Sequence, residues 1–288
     1  MKKKLYFCRD NNKTENKMRR SLLLIGIALS FIPCYSWDLA GLTGGRSSAI
    51  GGCSVALNDF WSINNNPAGM ACYPFLGAGI SYDNRFLMKE LSYADAALLM
   101  PVKIGTFGLS YSRFGYENYN ENKVGLAFAR AFGPHLKIGL KLDYLAIRFS
   151  EDYAVRQNAT FEIGLQSDIT DNLRIGVYIF NPIYVKMKTL NDERIPVIFR
   201  FGFAYKITKD FLATAEAEYD SDTKLNYRFG LEYNTLKDFY IRIGVYTNPA
   251  TACFGVGYTW NKITLDVAAT MNQYTGVSFQ SSLIFNIK

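Results

Sequence analysis

The chemistry open to this chain is narrowed first by its single histidine, His135, which sits in the turn-like tripeptide Gly133-Pro134-His135. A serine hydrolase needs its histidine held beside the nucleophile in a fixed site. A solvated turn does not provide that. Four carboxylates, Glu162, Glu216, Glu232 and Asp266, fall on strand faces assigned below as inward, and two of them could pair for acid–base work. The same faces carry Arg174, Arg200, Arg228 and Arg242, so ion pairing is the simpler expectation. No His/Cys/Asp/Glu cluster has metal-ligand spacing. No Gly-Lys-Ser/Thr follows the glycines of 41–52 to make a phosphate loop. No cofactor is implied. The expectation is a non-enzyme, with a barrel hydrolase as the remote alternative.

The inward charges recur in a fixed step of charge, apolar residue, glycine: Lys137-Ile-Gly139, Glu162-Ile-Gly164, Arg174-Ile-Gly176, Arg200-Phe-Gly202, Arg228-Phe-Gly230 and Arg242-Ile-Gly244. Charge and glycine are two apart and share a face of a strand. Glycine there leaves room for a neighbour's long side chain or for a plug. Folding 224–233 back on 211–219 about Asp222 sets Glu216 opposite Arg228 and brings Arg200 near Glu216 or Glu218.

These steps ride on period-two segments that begin at residue 73. In 137–144, Ile138, Leu140, Leu142 and Tyr144 alternate with Lys137, Gly139, Lys141 and Asp143. A soluble sandwich would alternate too, but here one face is large and apolar while the other mixes charge with glycine. That division suits lipid outside and a polar lumen inside. About fourteen strands are expected, at 75–82, 91–100, 105–114, 122–132, 136–148, 158–168, 172–181, 196–206, 211–219, 224–233, 239–247, 251–260, 263–272 and 276–287. Alternation is weakest in 91–100 and 211–219, whose outward residues are largely alanine. Tight turns such as Thr208-Lys209-Asp210 alternate with longer connections at 114–121, 150–157 and 181–194. Aromatics placed at strand ends, Tyr82, Tyr233, Trp260 and Tyr274, suit an interfacial girdle. The fold class expected is all-β: a transmembrane antiparallel up-and-down barrel.

Residues 1–36 read as an export signal. Arg19-Arg20 precede the apolar run 21–33, which is shorter than the ~20 residues of a spanning helix, and Ser36 allows cleavage before Trp37. Met18 is an alternative start, and a lipoprotein reading of Cys34 is disfavoured by Pro33. This segment carries eight basic and two acidic residues, a net +6 of the chain's +7, so the mature part has no charge for nucleic acid. Cleavage leaves Cys53, Cys72 and Cys253, an odd number at unrelated spacings, and no disulfide framework. The organisation expected is signal peptide 1–36, hatch 37–72 and barrel 73–288, delivered to the outer membrane of a Gram-negative cell with its lipid as first partner.

Residues 37–72 do not alternate. Glycines at 41, 44, 45, 51, 52 and 69 permit tight turns, Asn58 could cap a helical turn, and Asn66-Pro67 has the form of a cap followed by proline at the first helical position. The runs Gly45-Arg46-x-x-Ala49-x-Gly51-Gly52, Val55-Ala56-Leu57-x-Asp59 and Asn66-Pro67-Ala68-Gly69-Met70 resemble the N-terminal signature of FadL-like outer-membrane proteins, and more narrowly the PorV/PorQ branch associated with type IX secretion. The resemblance implies that 37–72 folds inside the barrel as a hatch, with Arg46, Asp59, Asn66, Pro67 and Gly69 in structural roles. It implies either passage of a hydrophobic small molecule that leaves sideways into the membrane, or docking of secretion-machinery proteins. The mature chain is shorter than the fatty-acid transporters and has smaller loops. The passage reading expects an apolar pocket at Phe60, Trp61 and Ile63 with a lateral gap. The docking reading expects a sealed lumen and an exposed loop patch.

Overall fold

The computed structural model describes residues 42–149, 155–185, 195–221, 223 and 225–287. The expected export signal, 1–36, and the first residues of the expected hatch, 37–41, therefore lie outside the described residues. Fourteen strands follow one another around a closed barrel: β1 (Leu76–Asn84), β2 (Ser92–Val102), β3 (Gly105–Gly115), β4 (Tyr119–Phe132), β5 (Leu136–Phe149), β6 (Arg156–Asp168) and β7 (Leu173–Phe180), then β8 (Ile198–Lys206), β9 (Phe211–Asp220), β10 (Asn226–Leu236), β11 (Phe239–Thr247), β12 (Ala250–Trp260), β13 (Ile263–Asn272) and β14 (Gly276–Ile287). Each pairs antiparallel with its neighbours, and β1 closes on β14. Closure removes the exposed edges that lipid could not satisfy. Among the described residues no helix is long and apolar enough to cross a membrane.

Alternation assigns the two faces as the residue types require. Leu140, Leu142 and Tyr144 of β5 point outward and are exposed, whereas Lys137, Lys141 and Asp143 are buried. The alanine-rich strands β2 and β9 form as well, with Ala94, Ala96 and Ala213, Ala215 outward. Their inward residues explain why: Asp95 on β2 and Glu216 on β9 must find partners in the interior. Tyr82, Tyr233, Trp260 and Tyr274 are all exposed.

Tight connections at 133–135, 169–172, 207–210, 237–238 and 261–262 gather at one rim. At the other rim two expected loops are only partly described, and the connection expected at 114–121 is much shorter than that. Strands β3 and β4 continue to Gly115 and Tyr119, where Tyr116 N donates to the Tyr119 carbonyl at 2.8 Å, so only 116–118 remain as turn. Gly115, with φ +95°, makes that reversal possible.

The register places Arg228 opposite Glu216, as folding about residue 222 requires, and Arg200 opposite Glu218 across the 207–210 turn. Arg228 Nη1 lies 3.5 Å from Glu216 and Arg228 Nη2 bonds Glu218, while Arg200 Nε lies 2.6 Å from Glu218 and 3.9 Å from Glu216. All four side chains are largely out of solvent, so removing one cation strands a buried carboxylate. Arg228→Leu should cost about 3 kcal/mol. The loss would be read as a lower temperature at which the folded band on a detergent gel converts to the denatured one. An unchanged conversion temperature would show that the pairs contribute nothing.

Candidate functional site

The segment preceding β1 has little regular structure of its own: helix α1 (Gly45–Ala49), helix α2 (Ser62–Asn65) and a 3-10 turn at Pro67–Cys72. Most of its backbone groups must therefore be satisfied by something other than a ladder. Asparagines do part of this within the segment. Asn65 accepts from Thr43 N at 3.0 Å and donates to the Thr43 carbonyl at 2.8 Å. Asn66 donates to the Val55 carbonyl at 2.6 Å and accepts from Ala68 N at 3.2 Å, with Pro67 opening the turn. Asn58 caps nothing. The helix begins after Trp61, and the Asn58 amide faces Gln166, Arg174 and Lys137 instead.

The barrel wall supplies the rest. Glu216 accepts from Ser54 N and Val55 N at 2.8 and 2.9 Å. Gln166 donates to the carbonyls of Val55 and Leu57 at 2.9 and 2.8 Å. Arg228 reaches the Gly52 carbonyl at 3.3 Å, and Ser282 accepts from Gly45 N at 3.0 Å. Arg46 grips Glu232 through two bonds of 2.8 and 2.7 Å and touches Asp59 at 3.4 Å. Glu232 also receives Arg242 at 2.6 Å, and Arg242 reaches Asp266 at 2.6 Å. Burial pushes the Asp59 carboxyl up from its ordinary value against the pull of Arg46.

Of the residues named from sequence, Arg46, Glu232, Arg242, Asp266 and Asp59 form one connected group, and Arg200, Glu216 and Arg228 a second. Arg174 pairs near the tight-turn rim with Asp168, which also holds Lys137 at 2.6 Å. Glu162 belongs to a third group that sequence reasoning did not assemble. Lys141 lies 3.2 Å from Glu162, 3.4 Å from Asp143 and 3.0 Å from Asn64 Oδ1, and Lys123 lies 3.4 Å from Glu162. Asn64 in turn donates to Asp95 at 3.2 Å. Each of these charges sits at an inward position, but only the fold shows that Asn64 links Lys141, and through it Glu162 and Asp143, to Asp95. His135 is exposed, and its Nδ1 lies 2.8 Å from the Asp168 carbonyl oxygen.

Room for the segment comes from the glycines of the repeated step. They face one another in pairs across strands, Gly139 with Gly164, Gly176 with Gly202, and Gly230 with Gly244. A methyl added at any of the six would come within 3.0 Å of another residue's atoms. At Gly139 and Gly164 these belong to 66–68, at Gly176 and Gly202 they include Val55, and at Gly230 and Gly244 they include Ile50 and Gly51. The space beside five of these six charges is filled by hatch backbone or the Asn66 and Pro67 side chains, and at Gly202 by the Val55 side chain and the neighbouring strand.

Phe60, Trp61 and Ile63 face the wall of β1–β4, packed with Met70, Ala97, Leu99, Ala127 and Ala129. Phe60 meets Trp61 edge-on at 5.0 Å and presses on Gly79, while Ile63 presses on Gly108. All three are 1 % exposed or less, so their own side chains fill the place where an apolar pocket was expected. The expected lateral gap is closed as well. The ladders of β1 with β14, β1 with β2 and β2 with β3 run without a register break. On the outer face of that same wall lies an apolar depression of about 510 Å³, lined by Ala78, Gly79, Ile80, Ala96, Ala97 and Leu98 among others.

No protein-family model matches the sequence, and no curated protein matches it. Solved structures do match the fold. A deltaS2 mutant of the TodX monoaromatic hydrocarbon channel aligns with a TM-score of 0.66 at 11 % identity, over 88 % of this chain and 100 % of that one. A Pseudomonas aeruginosa FadL homologue gives 0.64 at 11 % over 86 % and 99 %, and the Ralstonia pickettii toluene transporter TbuX gives 0.61 at 12 % over 88 % and 100 %. The likeness is one of architecture: the chain shares with these structures the fold of a closed antiparallel barrel, here of fourteen strands.

Filling the glycine sites should expel the hatch. Gly176→Leu and Gly244→Leu are each expected to raise ion conductance of the barrel in planar bilayers severalfold, whereas Ala252→Leu on the outer face of β12 should leave it at the wild-type level. Equal conductance in all three would mean that the glycine contacts do not hold the lumen closed.

Proposed function

We propose that the protein is an outer-membrane barrel, exported by its residues 1–36 and closed by its residues 37–72, that binds or passes a small hydrophobic compound. One observation carries this reading. The interior apolar cluster around Phe60 and Ile63 and the apolar depression on the outer face lie on opposite sides of the same small-residue stretch of wall. Gly79 and Ala97 line the outer depression, Phe60 presses on Gly79 from within, and Ala97 belongs to the inner cluster. A compound held at Phe60 would need only a local parting of β1–β3 to reach lipid. The hydrocarbon and toluene transport named for the fold's relatives agrees in substrate class with such a path. Passage requires the hatch to yield, since the ladders are continuous in the closed form described above.

The type IX secretion-associated reading, a barrel that docks protein partners and passes nothing, draws on a different observation. The lumen is filled by charge-paired hatch contacts, and the rim opposite the tight turns carries exposed apolar residues, among them Leu87, Met88, Tyr116, Ile183 and Tyr274. Uptake of labelled toluene by cells displaying the barrel separates the two. The passage reading expects a severalfold rise over cells lacking it, abolished by Ile63→Glu in a variant that still shifts on heating in detergent gels. An unchanged rate, with a protein copurifying from the native membrane, would assign the docking role instead.

A further inference from the structure

A second cavity lies at the rim of the longer connections, apart from the apolar cluster. Its volume is about 590 Å³, inside the range of ~300–1,000 Å³ usual for small-molecule sites. Ser48, Gly51 and Gly52 of the hatch line it from within the barrel, and its walls come from β1, β8–β14 and their connections.

Its chemistry is unlike that of the apolar cluster. Three arginines, Arg85, Arg200 and Arg228, are matched by three carboxylates, Asp83, Glu218 and Asp220. Most of these charges already have partners on the wall: Arg200 with Glu218 at 2.6 Å, Arg228 with Glu218, and Arg85 with Asp83 at 3.4 Å. An ion of either sign would have to break such a pair to bind. A neutral ligand with many hydroxyls would not, since a hydroxyl can donate to a paired carboxylate and accept from a paired guanidinium at once. Around the pairs stand neutral hydrogen-bonding side chains, including Asn226, Thr251, Thr270, Asn272 and Ser278. Arg228 Nε is buried and has no acceptor among the described residues.

Two half-buried aromatic rings, Phe86 and Tyr246, also line the cavity. Phe86 is there at a conformational cost. It has φ +55° and is followed by Leu87 at φ +59°, a left-handed pair without glycine. The loop is pinned in that form by Phe86 N donating to Ser278 at 3.0 Å, and by Arg85 stacked 5.6 and 5.4 Å from the Tyr93 and Phe114 rings. Backbone strain of this kind persists where the surroundings enforce it, often at ligand sites. Aromatic rings beside a set of neutral and paired polar groups suit the two surfaces of a pyranose, its C–H face and its hydroxyl edge.

We propose that this vestibule binds a neutral sugar, either free or as the end of a glycan chain. The site shares no lining residue with the outer depression at β1–β3 and does not touch Phe60 or Ile63, so the proposal stands or falls independently of hydrophobic passage.

The test uses the full mature chain in an amine-oxide detergent, because maltoside and glucoside detergents would occupy the site. Saturation-transfer NMR and calorimetry are run with maltose, lactose, cellobiose and maltoheptaose, and with choline and citrate as charged controls. At least one neutral sugar should bind while the controls do not. Disaccharide binding would indicate a free sugar, and binding of maltoheptaose alone a glycan end. Phe86→Gly, which suits the left-handed backbone while removing the ring, should weaken binding at least tenfold without lowering the heat-conversion temperature. Thr270→Val should weaken it severalfold, and Phe60→Ala should leave it unchanged. Should Phe86→Gly not fold, Tyr246→Leu serves in its place. The proposal is overturned if no neutral sugar binds the wild-type chain, if a charged control binds as well as the sugars, or if the ring and Thr270 variants bind like wild type.

Discussion

Irregular backbone inside a closed barrel needs both hydrogen-bond partners and space, and the wall must provide the two at adjoining positions. The charge–apolar–glycine step meets that need with a two-residue spacing. The charge reaches across to a backbone group or to a neighbouring ion, and the glycine beside it lets the incoming chain lie flat on the strand. Glu216 receiving Ser54 N and Val55 N, next to Gly202 under Val55, shows the two halves working together. Where the hatch instead presents side chains, as at Phe60 and Ile63, it also meets glycines, Gly79 and Gly108. The lumen's charges are thus better understood as sockets for the hatch than as a conduction path.

Much of this was legible because a strand repeats every two residues. Once Ile138, Leu140 and Leu142 are outward, every inward position follows, and the turn about residue 222 alone places Arg228 across from Glu216. The alanine faces of β2 and β9 weakened the pattern without breaking it, since their inward residues kept the period. The Asn66-Pro67 cap could also be read from residue type alone. The hatch path was a different matter. Residues 42–72 have no period, so nothing in the sequence tells which glycine meets Ile50 and which meets Pro67. Lys123 and Lys141 look like any other inward lysine until Asn64 is found between Lys141 and Asp95. The vestibule was invisible because its lining is drawn from strands at opposite ends of the chain, Asp83 and Ser278 among them.

The interior that results is divided by chemistry. Toward the long-connection rim it is polar and charge-balanced on the side of β8–β14 but apolar on the side of β2–β8, where Tyr93, Phe114, Ile147, Phe180 and Ile198 are buried in one cluster with Ile50 and Val55; beside β1–β4 a second apolar cluster packs around Phe60 and Ile63. A hydrophobic compound and a sugar would therefore meet different parts of the same barrel. Release of either inward requires the hatch to move, and the ties that would have to part are those of Arg46 to Glu232 and of Glu216 to the 54–55 amides.

Everything in this account depends on the N-terminal segment lying in the lumen against these particular strands, and a cysteine pair tests that most directly. Ser48 of the hatch contacts Gln280 of β14, a residue 232 positions away in the chain. With the native cysteines replaced by alanine, Ser48→Cys combined with Gln280→Cys should oxidise almost completely in the folded barrel. The denatured, unreduced chain would then run as a faster band that returns to the normal position on reduction. Two thiols that stay fully reactive to maleimide after oxidation of the folded protein would contradict the placement of the hatch.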